Sequence, residues 1–165
     1  MCRRWILFAC VALAGLGATS ASAATSKPAW DCTVLMPASQ FSALTGGSFS
    51  LSGPTKIAAH ELSNCHYGGN LVVIEGIGGA TNYSHWIAGA TQSTSRLAPT
   101  CSTAPDPRDC ALTSLSGFGK QAAEFNGSVI VLTTGGAFVQ VYSTDHSLGY
   151  GALESVARAL LKKVK

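Results

Sequence analysis

The clearest hydrophobic rhythm in the chain runs through AAEFNGSVIVLTTGGAFVQVYST, residues 122–144, where β-branched and aromatic positions fall in short blocks. Asn126-Gly127 suits a tight hairpin turn and Thr133 to Gly136 supplies a second reversal, so the pattern predicts a three-stranded antiparallel meander. NCHYGGNLVVIEGIGG, residues 64–79, predicts another hairpin. One strand passes through Cys65 and Tyr67, Gly68-Gly69-Asn70 turns the chain, and a β-branched run from Leu71 to Ile77 returns. SFSLSGPTKIAAHELS, residues 48–63, is a weaker strand region: Phe49 and Leu51 alternate, and Gly53-Pro54 interrupts.

Three segments follow a helical period instead. Tyr83, Trp86, Ile87 and Ala90 recur at i, i+3, i+4 and i+7, the core face of a helix with Thr81 or Asn82 as its N-cap. Near the end of the chain, Leu153, Val156, Ala157, Leu160, Leu161 and Val164 form one stripe of an amphipathic helix that needs a layer to cover it. Earlier, MPASQFSALTGG predicts a short helix with Pro37 in its first turn, Phe41 and Leu44 on one face, and Gly46 ending it in a left-handed conformation. The expected order is α-β-β-α-β-β-β-α. This is an α+β fold: an antiparallel sheet of five to six strands with helices packed on it.

Composition and charge add a compartment. Arg3 and Arg4 precede an apolar run from Trp5 to Gly17, and Ala21-Ser22-Ala23 offers a cleavage site. The expected organisation is a signal peptide at 1–23 and a single α+β domain at 24–165, with no transmembrane segment after the leader is removed. Cys10 follows Arg4 too closely to serve as an acylated lipoprotein cysteine. Without Arg3 and Arg4, nine basic residues face eight acidic ones, which is not the basic footprint of a nucleic-acid binder. The expected location is the periplasm or the medium.

Cys2 and Cys10 would leave with the leader, so Cys32, Cys65, Cys101 and Cys110 remain in an oxidising compartment. Four cysteines allow three pairings. The expected one joins Cys101 to Cys110, close in sequence across a turn-rich segment, and by elimination Cys32 to Cys65. The long irregular stretch 96–119 would then be pinned by CSTAPDPRDC.

DCTVLMPASQFSALTGG, NCHYGG, LSGFGKQAAEF and the closing GALESVARALLKKV together resemble the small exported or lipoprotein domains of unknown function found in actinobacteria and other bacteria, some of which resemble the PsbP-like α/β sandwich. The resemblance implies that fold and a Cys32–Cys65 disulfide, and no reaction.

Candidate chemistry is sparse. GGSFS lacks the final glycine of a nucleophile elbow, and EGIGGATN has Thr81 where a dinucleotide-binding motif needs its third glycine. His60, Glu61, His66, Asp145 and His146 are not at metal-ligand spacings. No cofactor or metal is expected and no catalytic residue is assigned. Candidate contact residues are Asp106, Arg108 and Asp109 in the stapled loop, Phe118 held exposed between two glycines, and Tyr67. The expectation is a non-enzymatic exported module that binds a protein or small apolar ligand, with loop 96–119 in the contact surface. The alternative is a periplasmic inhibitor or immunity protein using loop 101–110, ahead of a small hydrolase or metal-dependent enzyme.

Overall fold

A computed structural model describes residues 30–52, 56–57, 63–76, 78–97 and 106–164. The expected leader at 1–23 and Cys101 lie outside these residues. Nine strands and four helices follow one another among them. The chain opens with β1 (Trp30–Asp31), a single turn α1 (Cys32–Leu35), and α2 (Ala38–Thr45). Short strands β2 (Leu51–Ser52) and β3 (Lys56–Ile57) precede the hairpin β4 (Ser63–Tyr67) and β5 (Asn70–Glu75), then α3 (Gly79–Leu97). The second half holds a 3-10 turn at Pro107–Asp109, β6 (Thr113–Ser114), the meander β7 (Gln121–Phe125), β8 (Ser128–Leu132) and β9 (Phe138–Ser143), and α4 (Tyr150–Leu161).

Seven strands form one antiparallel sheet in the order β2-β4-β5-β9-β8-β7-β6, while β1 pairs with β3 separately. The fold is α+β, as the pattern predicts, but the sheet has seven strands rather than five to six. The addition within the expected irregular stretch is β6, whose two residues are too short to show a period. Pairing of Thr113 with Glu124 and Ser114 with Ala123 makes it a strand. The hairpin and the meander meet at the centre, where β5 pairs with β9 from Asn70–Ser143 to Glu75–Phe138.

Helices cover both faces. Side chains alternate across a strand, so Val129 and Val131 of β8 enter one core with Val139, Val141, Val72 and Ile74. On that face lie α4, through Leu153, Val156, Ala157 and Leu160, and α1–α2, through Leu35, Met36 and Phe41. Ile130 and Leu132 enter a smaller core with Phe138, Ala123 and Tyr83 under α3. Burial on both faces explains why β8 reads as an unbroken apolar run.

Local chemistry sets the helix ends. Asp31 caps α1 by accepting from the Thr33 N–H at 2.9 Å. Gly46 ends α2 at φ +75, as expected, and Pro37 sits one residue before the helix as its N-cap. The N-cap expected at Thr81 or Asn82 is displaced: α3 already begins at Gly79, and the Asn82 N–H donates to the Gly78 carbonyl. The Asn82 side chain instead donates to the Glu75 carboxylate. A Cβ on Gly79 would lie 2.2 Å from the Gly136 carbonyl oxygen, so glycine lets α3 start directly against the β8–β9 turn. No helix among the described residues is long and apolar enough to cross a membrane.

Cys32 and Cys65 form a disulfide that ties α1 to β4. At the other end, the Lys163 ammonium donates to the Val34 and Leu35 carbonyls and to Gln40 Oε1, clasping the last turn to α1 and α2.

Candidate functional site

The charged side chains of residues 106–109 engage one another and their neighbours. Asp106 caps the 3-10 turn and holds the Arg108 guanidinium through Nε and Nη2 contacts of 3.0, 3.2 and 2.8 Å. Arg108 lies 4.4 Å above the Tyr150 ring and 3.8 Å from Glu124 Oε1. Hydrogen bonds to Arg108 hold the Asp106 carboxyl below the usual carboxylate range. Tyr150 is buried; its hydroxyl accepts from the Gly127 N–H at 2.9 Å and donates to Asp109 Oδ1 at 2.8 Å. Burial pushes that phenol well above its ordinary value. His146 Nδ1 stands 3.4 Å from the same Asp109 oxygen.

These contacts tie the loop to the β7–β8 hairpin and to the first turn of α4. Asp106, Arg108 and Asp109 are indeed brought together, but as a latch whose hydrogen-bonding groups face one another. Glu124, Tyr150 and His146 complete it and were missed in the sequence. The available signal was Glu124 itself, an acid inside the strongest β segment at the same strand parity as inward-facing Ala122. The residue is 2% exposed, and its Oε2 has no hydrogen-bond partner.

The two aromatic contact candidates are core residues. Phe118 is 3% exposed rather than displayed between its glycines, because its ring packs into the α4-side core and the Arg158 guanidinium covers it at 3.8 Å. Tyr67 is fully buried, stacked on Phe41 with ring centroids 4.1 Å apart, and its hydroxyl donates to the Met36 carbonyl. Both are corrected from surface to interior, since alternation along β4 sends Cys65 and Tyr67 to the same buried face. Cys110 is a disulfide cysteine, but the expected Cys101–Cys110 bridge has its other end outside the described residues. His60 and Glu61 lie outside them as well. No group of three or more His, Cys, Asp or Glu side chains among the described residues is placed to hold a metal ion.

A cleft lies on the opposite face of the sheet, between the middle of α3 and strands β7–β9. Its cavity is about 310 Å³, lined by Trp86, Phe125, Tyr142, Gln140, Ser128 and Asn126 among others, and it opens to solvent. Trp86 meets Phe125 edge to face, centroids 6.3 Å apart and planes at 80°. Gln140 Nε2 donates to Ser128 Oγ at 3.1 Å across the β8–β9 pair. Gly89 and Ala90 form the helical wall, and a Cβ on Gly89 would meet nothing within 4 Å. Two other openings, of about 630 Å³ beside Gly117 and Leu161 and about 400 Å³ beside Leu112 and Tyr83, lack this convergence of rings and hydrogen-bonding side chains. The helical period had placed Trp86 in the core. It is half-buried, with part of its ring lining the open cleft.

The molecule is thus an α+β sandwich with a neutral, ring-lined cleft under one helix and a charged latch on the other face. No family model matches the chain, and no curated protein and no solved structure matches it.

Proposed function

We propose that the chain is an exported, non-enzymatic binding module that holds a small molecule in the cleft between α3 and the sheet. One observation carries this reading: three aromatic rings and the Gln140–Ser128 pair converge on a single cavity of about 310 Å³. Ligand sites are concave and mostly apolar, with a few placed polar groups and volumes from roughly 300 Å³ upward. The three-part leader pattern supports export, and the Cys32–Cys65 disulfide is compatible with an oxidising compartment.

The alternative, an inhibitor plugging a partner with loop 101–110, has less support. Asp106 already pairs with Arg108, Arg108 with Glu124, and Asp109 with Tyr150 and His146, so their polar groups are spent within the fold.

The test is native mass spectrometry of protein recovered from the periplasm or medium of its producing cells. A non-covalent adduct of small mass is expected, and it should be lost in Gly89→Leu, which adds bulk at a residue lining the cleft. Recovery free of any adduct, or an adduct indifferent to Gly89→Leu, would overturn the proposal.

A further inference from the structure

Resting on the cleft as the ligand site, we propose that its ligand is an uncharged sugar ring. Among the described residues the lining carries no Asp, Glu, Lys or Arg; it consists of aromatic rings, small residues and neutral hydrogen-bonding side chains. A ligand bearing a full charge would therefore leave water without gaining a partner of opposite sign, which is costly.

The polar groups are specific in kind. Gln140 spends one amide N–H on Ser128 Oγ, which orients the side chain and leaves its Oε1 as an acceptor. Ser128, having accepted, retains its own O–H to donate. The cleft thus offers an acceptor beside a donor on adjacent strands. Neighbouring hydroxyls match this pair, because each hydroxyl both donates and accepts. Asn126 and Ser93 extend the same chemistry to the rim.

Ring geometry favours a puckered ring over a flat one. Trp86 and Phe125 stand nearly perpendicular, so they do not form a parallel slot that would sandwich a planar heterocycle. Trp86 is half-buried and can offer a stacking surface to the C–H face of a sugar. Gly89 and Ala90, one turn beyond Trp86 on the same helix, keep that wall free of bulk, and hydroxyls on the outer side of the ring stay in water.

The experiment is titration of the purified protein with glucose, galactose, N-acetylglucosamine and their short uncharged oligomers, by calorimetry and by NMR. Glucuronate serves as the charged comparator and indole as the flat one. At least one uncharged saccharide is expected to bind, to shift the Trp86 indole and Gln140 amide signals, and to bind at least tenfold tighter than glucuronate or indole. Gln140→Leu and Trp86→Ala should each weaken it about tenfold, with Trp86→Phe restoring part of the loss. Thermal unfolding checks that each variant folds, and signal mapping on the unaltered chain decides the matter where one does not. If no saccharide in the panel binds, or the comparators bind as tightly, the sugar assignment fails. If that occurs while a native adduct is still displaced by Gly89→Leu, the cleft reading stands without it. Saccharide binding that ignores Gly89→Leu would overturn both.

Discussion

Glu124 is a buried carboxyl with one oxygen left without a hydrogen-bond partner. Burial raises its pKa, and Glu154 and Asp106 add to the rise while Arg108 opposes it. A carboxyl whose pKa is raised on folding stabilises the fold most below its unfolded pKa, and that contribution is lost as pH climbs through the folded value. Glu124→Gln, which mimics the neutral carboxyl, is therefore expected to stabilise the protein at neutral pH. The advantage should vanish in acid, where both side chains are neutral. Denaturant unfolding of the two proteins at pH 7 and pH 4 measures this, and an unchanged midpoint at pH 7 would show that Arg108 compensates the charge fully. Asp106 runs the other way: its lowered pKa gives stability present above the unfolded value and lost as pH falls through the folded one.

At the scale of elements, two glycines of α3 carry opposite expectations. Gly79 abuts the backbone of Gly136 and Phe138, so Gly79→Ala forces α3 away from the β8–β9 turn at a cost of about 3 kcal/mol. Gly89 has open space at its Cβ, so Gly89→Ala should instead gain about 1 kcal/mol of helix propensity. Thermal unfolding of both variants checks the contrast. Hairpins and helices of this kind were legible because their periods and turns are local: Asn126-Gly127, Gly46 and the stripe of α4 each announce themselves. β6 and the latch were not, because they depend on residues distant in sequence. Tyr150 reaches Asp109 and Gly127 only after the sheet has closed. The cleft was half legible: Trp86 stood out, but its partners Phe125, Gln140 and Tyr142 look like ordinary strand positions until α3 is laid across them.

For the molecule as a whole, stability is divided between a large core under α4 and α1–α2 and a smaller one under α3. The Cys32–Cys65 bridge closes a separation of 33 residues at the edge of the larger core. On the chain-entropy view such a link is worth about 4 kcal/mol. Replacing both cysteines by serine should lower the midpoint of thermal unfolding by roughly 10 °C. A shift within error would mean that α1 is held by packing and the Lys163 clasp alone. The β5–β9 pairing has a consequence for the order in which the molecule can be made. β5 emerges long before its central neighbour β9, and the larger core is covered only by α1–α2 until α4 follows. The hairpin at 63–75 must therefore wait with one edge unpaired, and folding is completed from the C-terminal end. Contacts this distant close slowly and leave the waiting strands open to aggregation. A chain cut short before Tyr150 would thus be a template for self-association rather than a smaller version of the same protein.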